Sequence, residues 1–372
     1  MPKYREVFIE QDFVLADSGD KIVEMKVVDP ISEIYVKFYA TNGATSNKAS
    51  PIPRVISKIE VLDGADKLFS MDGRLAHSLA YHRSGKLPFF TLNEAANYVQ
   101  SAHIPLRFGR WLWDPLYALV PQSFRNLQLK ISWNLAAVNA VGATGFVSGT
   151  GRLTVIAKVM EGLEAPPTGF IMSKDHYNFT SAASGVEPAE LPTDHPFVDL
   201  MVRAFESGVD VTSSITNLKL SLDIDKDVPF DYPAADFYGQ MVSKFGEFSL
   251  PSIIVADDGE THQAWIGKPS AINVQPAAQD VIVGVSALSN GQYVVEQVNG
   301  AGAAQNAVIS FVNVVGQMLW NCFYYAFGMI EEPTQYLMAP EHGDIKLKLT
   351  QGNAGADVNI VLGQLRLYAG GT

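Results

Sequence analysis

Ile56-Ser57-Lys58-Ile59-Glu60-Val61 is answered 159 positions later by Ile215-Thr216-Asn217-Leu218-Lys219-Leu220. Both segments alternate polar and apolar residues, the period of a strand with one buried and one wet face. In the same frame Asp66-Lys67 falls on Asp225-Lys226, Met71-Asp72 on Phe230-Asp231, and Ala76 on Ala235. A second block matches at an offset of 219: Phe108-Gly109 on Phe327-Gly328, Tyr117 on Tyr336, Leu119 on Met338, and Pro121 on Pro340. At an offset of 218, Leu127-Gln128-Leu129-Lys130-Ile131 meets Ile345-Lys346-Leu347-Lys348-Leu349. The blocks keep their order, so the chain reads as two copies of one domain.

Growth of the offset from 159 to 219 places about 60 additional residues in the second copy, between Ser243 and Phe323. Strand-like Val281-Ile282-Val283-Gly284-Val285 and Tyr293 to Val298 lie there, with a Gly/Ala/Asn-rich tract from Asn299 to Asn306. An insertion with its own strands predicts a protruding loop or small subdomain.

Outward from the matched blocks the texture is β. Ile34 to Tyr39, Leu153 to Val159, Leu200 to Phe205 and Leu362 to Tyr368 read as strands, and Asn42-Gly43, Asn290-Gly291 and Asn299-Gly300 as turns. Short helices are expected at Gly73 to His82 and at Ala234 to Ser243. About eight short strands per copy suit a jelly roll, two Greek keys folded into a sandwich. The expected fold is therefore all-β, with two tandem eight-stranded jelly rolls, short helices and an inserted subdomain. Residues 1–30 are expected to form an N-terminal arm and 31–162 the first jelly roll. Residues 163–196, with Pro166, Pro167, Pro188, Pro192 and Pro196, read as a Pro-rich connection, and 197–372 as the second jelly roll.

With 372 residues, 47% of them hydrophobic, the chain can bury two cores. Only 18% are charged, which suits a subunit whose faces are covered by neighbours. A net charge of −12 has the wrong sign for a body that holds nucleic acid, so no sequence-specific nucleic-acid binding is expected. The single cysteine, Cys322, reads as a small buried hydrophobe. The polar start of the chain predicts no signal peptide, and the uncharged run from Ala307 to Ile330 reads as buried strands rather than a membrane span.

The motifs that carry chemistry point away from an enzyme, and no catalytic, cofactor or metal residue is assigned. Asp223, Asp225 and Asp227 alternate as in calcium loops but lack the glycine and distal glutamate of an EF-hand, so a solvated turn is favoured over an ion site. His77, His82, His103, His176, His195, His262 and His342 are scattered without metal-ligand spacing. The glycine-containing loops at 41–46 and 141–151 lack a phosphate-binding lysine. Asn178-Phe179-Thr180 fits a glycosylation sequon but, with no export signal, carries no weight. Trp111 and Trp113 read as core or interface aromatics, with sugar stacking as the alternative.

Duplication, acidity, the lone cysteine, the Pro-rich stretch and the unequal insertion together resemble the double jelly-roll major capsid proteins of tailless icosahedral viruses, bacteriophages among them, over about residues 31 to 368. The resemblance implies a structural capsid protein of the virion, made in the host cytoplasm. Homotrimers would act as pseudo-hexagonal capsomers and tile with neighbouring capsomers, penton and minor capsid proteins, above an internal lipid membrane in some members. The rival is a two-domain jelly-roll glycan-binding protein or glycan-cleaving enzyme, which needs an acid pair and Trp111 and Trp113 lining one groove.

Overall fold

The computed structural model describes residues 2–44, 47, 51–138, 145–256, 259–276, 281–287, 292–299 and 308–368. The predicted Asn290-Gly291 turn, most of the 299–306 tract and residues 141–144 of the 141–151 loop lie outside the described residues. The first copy runs β1 (Lys3–Val14), β2 (Ser18–Glu24), β3 (Ile31–Thr41), one-turn α1 (Ile52–Val55), β4 (Ile56–Asp63), β5 (Asp66–Met71) and α2 (Gly73–Ser84). It continues with β6 (Leu92–Asn93), β7 (Val99–Arg107), β8 (Leu127–Asn134) and β9 (Arg152–Glu161). Its sheets have the orders β1-β9-β3-β7 and β2-β8-β4-β5.

The second copy repeats this plan. It runs β10 (Gly169–Thr180), β11 (Gly185–Glu190), β12 (Phe197–Phe205), α3 (Val211–Ser214), β13 (Ile215–Leu222), β14 (Asp227–Pro233) and α4 (Ala234–Phe245). An excursion follows: β15 (Phe248–Ala256), β16 (Glu260–Gln263), β17 (Lys268–Pro276), β18 (Val281–Ala287), β19 (Gln292–Asn299) and β20 (Val308–Gln317). The copy closes with β21 (Cys322–Ala326), β22 (Ile345–Gln351) and β23 (Asp357–Leu367). Its sheets, β10-β23-β12-β21 and β11-β22-β13-β14, match the first pair strand for strand. Each copy is thus a jelly roll. A parallel pairing of β5 with β10, Ser173 opposite Phe69 and Lys174 opposite Ser70, fuses one sheet from each copy into an eight-stranded wall.

The excursion is the inserted subdomain. Its strands make two small sheets, β17-β20-β15-β6 and β16-β19-β18. The first recruits β6 from the other copy, Leu92 and Asn93 lying parallel to Ser252 and Ile253. Within the uncharged run from Ala307 to Ile330, read as strands rather than a membrane span, residues 308–326 are β20, a 3-10 turn and β21. Among the described residues no helix is long and apolar enough to cross a membrane.

Two expectations are corrected. Residues 1–30 hold β1 and β2, paired with β9 and β8 of the first sandwich, rather than a separate N-terminal arm. Both are edge strands, and most of their side chains are exposed, so their sequence looks polar. Residues 163–196 hold β10 and β11, the first two strands of the second sandwich, and the chain between β9 and β10 is short. Pro188 sits inside β11, an edge strand where a missing N–H is tolerated.

Helix α2 joins the copies. Asp72 caps it by accepting from Leu75 N–H (2.8 Å), and Gly85, with φ of 65°, ends it two residues beyond Arg83. Arg83 then reaches into the second copy and forks onto Asp199 of β12 at 2.6 and 2.9 Å. Both side chains are nearly sealed from water, 3% and 2% exposed. Tyr324 adds its hydroxyl to the same carboxylate (3.0 Å), and the His82 ring stacks on Tyr324. Ser78 donates to the Leu319 carbonyl (2.9 Å), and Trp320 donates to His77 Nδ1 (3.2 Å). Gly363 faces the pair across β23, and a Cβ there would run into the Asp199 carboxylate and the Arg83 guanidinium.

Removing one partner of a buried pair strands the other charge, at a cost of about 3–5 kcal/mol. Arg83→Ala is expected to lower the unfolding free energy by about that much in urea titration. A loss under ~1 kcal/mol would remove the pair from its place as the clamp between copies.

Candidate functional site

The residues that sequence singled out for chemistry do not converge. Asp223, Ile224 and Asp225 form a left-handed turn between β13 and β14. Asp223 accepts from His342 Nδ1 and Gly343 N–H, both at 2.8 Å, while Asp225 is held by Lys348 (2.8 Å) and Lys219 (3.2 Å). Those contacts depress both carboxyls, Asp225 most strongly through Lys348. The acids thus spend their charge on separate partners. Among the described residues no three His, Cys, Asp or Glu side chains are grouped to hold a metal.

The histidines are spread likewise. Burial drives His77 and His82 down to about 3, so they sit neutral beneath the second copy. His103 hydrogen-bonds Tyr35 (2.6 Å), His176 meets the Glu190 carbonyl (3.1 Å), and His195 lies 3.7 Å from Asp194. His262 lies between Glu94 of the first copy (3.6 Å) and Glu260 of the subdomain (3.8 Å). Cys322 is fully buried and its thiol is pushed up to about 12 by that burial. Trp111 lies under the Arg110 guanidinium, and Trp113 packs on Tyr4. The adjacent acid, Asp114, is fully buried and occupied by Arg110 at 2.7 and 2.9 Å, which removes it as an accessible general acid.

What the fold does present is broad sheet surface. The outer face of β1-β9-β3-β7 carries an uncharged, largely apolar row, Phe8–Ile156–Tyr35–Pro105, aligned by the strand register. The next row is charged: Lys158 bridges Glu33 (2.9 Å) and Glu6 (3.9 Å), and Arg107 reaches Glu33 (3.3 Å). On the second copy, the outer face of β11-β22-β13-β14 holds Lys346 with Asp344 (3.0 Å), and Lys348 and Lys219 with Asp225. Neutralised charge on a wide face with few loops suits contact with another protein surface better than capture of a small ligand. A groove of about 640 Å³ lies where the subdomain meets the first copy, with Phe89 and Phe311 half-exposed on its rim.

Sequence reading did not find Arg83, Asp199 or Asp175. The available signal for Asp199 was an acid inside the apolar run Phe197-Val198-Asp199-Leu200-Met201-Val202.

No family model matches the sequence, and no curated protein matches it either. Solved structures do match, along the whole chain. The major capsid protein P2 from bacteriophage PM2 aligns over 99% of this chain and 99% of its own, with 10% identity and a TM-score of 0.56. A chain in the atomic structure of Sulfolobus Turreted Icosahedral Virus aligns over 98% of this chain and 91% of its own, with 11% identity and a TM-score of 0.60. A chain of the PBCV-1 virus capsid covers 98% and 94%, with 10% identity and a TM-score of 0.55. The fold is the double jelly roll. Identity this low carries the double jelly roll alone, and the distinctive side chains of this chain are its own.

Asp175 of β10, at the seam between copies, is 9% exposed, with Lys58 3.9 Å away and Asn359 donating at 3.3 Å. Burial lifts its carboxyl to about 6. A folded-state value above the unfolded one means stability is greatest at acid pH and is lost as pH rises through about 6. Asp175→Asn is therefore expected to stabilise the protein at pH 8 by up to about 2 kcal/mol and to leave it unchanged near pH 4, in paired urea titrations. Equal effects at both pH values would show that the carboxyl titrates normally.

Proposed function

We propose that this chain is a major capsid protein that self-assembles as trimers and tiles an icosahedral virion shell. The observation that carries the reading is the likeness to capsid chains over 98% or more of this chain, both sandwiches and the insertion included. The physical case is geometric. Two similar sandwiches per chain give a closed ring of three chains six similar sides, so a threefold particle can pack like a hexagon. Wide faces with internally paired charge fit such lateral contacts. The subdomain of β15 to β20 supplies an outward tower.

The role is structural, not enzymatic. The first partner is the chain itself, as homotrimer and as neighbouring capsomer. Penton and minor capsid proteins follow at the places where hexagonal tiling must break, and a lipid layer beneath the shell is a further partner. The net charge of −12 leaves genome packaging to other factors. Localisation follows: synthesis in the host cytoplasm and residence in the virion.

Light scattering on the purified chain tests this, followed by electron microscopy of anything large. The expected result is a particle of about 120 kDa, three times 40.5 kDa, or closed shells. A monomer under all conditions of salt, pH and crowding would sink the proposal.

A further inference from the structure

The duplication supplies an internal reference for every surface: what covers a site in one copy indicates what belongs on its counterpart. Beyond the turn that joins β4 to β5 the correspondence moves from 159 to 161 residues, because Phe69 opposite Val61 answers to Phe230 opposite Leu220. Ala76 therefore falls on Phe237 rather than on Ala235. The equally long α2 and α4 keep that frame, and Arg83 corresponds to Lys244, His82 to Ser243, Leu79 to Gln240, Ser78 to Gly239 and Leu75 to Asp236. In α2 the second copy covers Ser78, His82 and Arg83 through Leu319, Tyr324 and Asp199, and Leu75 and Leu79 are buried as well. In α4 every one of these positions is exposed, and only Ala234, Phe237 and Met241 are buried.

The surface that receives α2 has a counterpart too, fixed by register. Asp199 pairs with Gly363 and Ala326, and Glu33 occupies the same lattice point of the first copy, paired with Lys158 and Arg107. Tyr324 opposite Met201 answers to Pro105 opposite Tyr35. An isolated bridge anchors both alignments, Ile31 with Leu119 and Phe197 with Leu337. This receiving surface is sealed in the second copy, where Asp199 and Tyr324 are buried. In the first copy Glu33 is buried beneath Lys158 and Arg107, Pro105 and Arg107 are half-buried, and the face opens toward β1, where Phe8 is 56% exposed.

The cleft between each helix and the neighbouring strand tells the same story independently. Between α2 and β7, beside Pro105 and Arg107, it has closed to about 10 Å³. Between α4 and β21, beside Tyr324 and Ala326, it stands open at about 310 Å³.

We propose that the α4 face of one chain seats on the outer β1-β9-β3-β7 face of a second copy of this chain, setting Lys244 over the Glu33–Arg107 pair and Ser243 over Pro105. The contact is the intermolecular counterpart of α2 on β12 and β21. It rests on the self-assembly reading and names the surface that reading leaves open. Asp236 and Lys244 on the helix meet a receiving row of Glu6, Lys158, Glu33 and Arg107, so both sides are charge-balanced and salt weakens the contact without abolishing it.

The full chain carrying Ser243→Cys and Pro105→Cys is oxidised mildly and run on a non-reducing gel. Covalent two- and three-chain species are expected, and neither single variant forms them beyond the level of the parent, whose Cys322 is buried. As a second reading, Lys244→Glu, a solvent-exposed change, is expected to shift the native mass to that of the single chain while the circular-dichroism spectrum and a cooperative melt are kept. A parent that oligomerises while both variants behave like it overturns the interface and leaves the self-assembly reading standing. A parent that stays monomeric overturns both.

Discussion

The Arg83–Asp199 pair is the contact on which the rest of the architecture leans. An ion pair sealed from water on both sides gives up the hydration of two charges and recovers it only in good geometry. Here the fork is bidentate, the Tyr324 hydroxyl binds the same carboxylate, and Gly363 leaves the room it needs. Such a pair is a poor general adhesive and a demanding locator, because a small displacement leaves charge uncompensated. It therefore fixes α2 on β12 and β21, and with them the lateral joining of β5 to β10. Once that wall of eight strands is set, the outer faces of β1-β9-β3-β7 and of β11-β22-β13-β14 are left open.

The inserted subdomain obeys the same logic. It leaves the second sandwich between α4 and β21, the connection that in the first copy holds only β6. Its sheet is completed by β6, and Glu94 N–H donates to the Ile253 carbonyl at 2.8 Å. His262 and Glu94, 5% and 4% exposed, are buried together at this joint. The subdomain is held from both copies, which fixes its direction relative to the wall. A long insertion is tolerated because the strands on either side of it already belong to a closed sandwich.

Much of this was legible in the sequence. The offset of 159 carries α1–β4 onto α3–β13 without a slip, and the later offset of 218 carries the start of β8 onto that of β22. These are central strands, where alternation is enforced by a core on one side and a wet face on the other. The edge strands were missed for the same physical reason. β1 is mostly exposed and β11 carries Pro188 between Glu187 and an exposed Glu190, so neither shows the pattern of a buried strand. The clamp was not legible at all. Asp199 and Arg83 are 116 residues apart, and only tertiary structure explains why an acid belongs in the apolar run of β12.

Duplication followed by divergence lets one helix do two different jobs. Inside a chain the two surfaces are always present at high effective concentration, so a dry, apolar, exactingly placed contact can form once and stay. Leu75, Ser78 and His82 on α2 suit that condition, because that face never meets water in the folded chain. A face that must remain soluble until another chain arrives cannot be built that way, since an exposed apolar patch invites indiscriminate association. Asp236, Gly239, Gln240 and Ser243 on α4 keep the same geometry and replace the apolar surface with groups that water can satisfy. Arg83 becomes Lys244, exchanging a rigid planar fork for a flexible point charge that tolerates imperfect placement. On the proposed self-assembly, the second helix would give up affinity per contact and gain reversibility, which lets a misplaced subunit leave again.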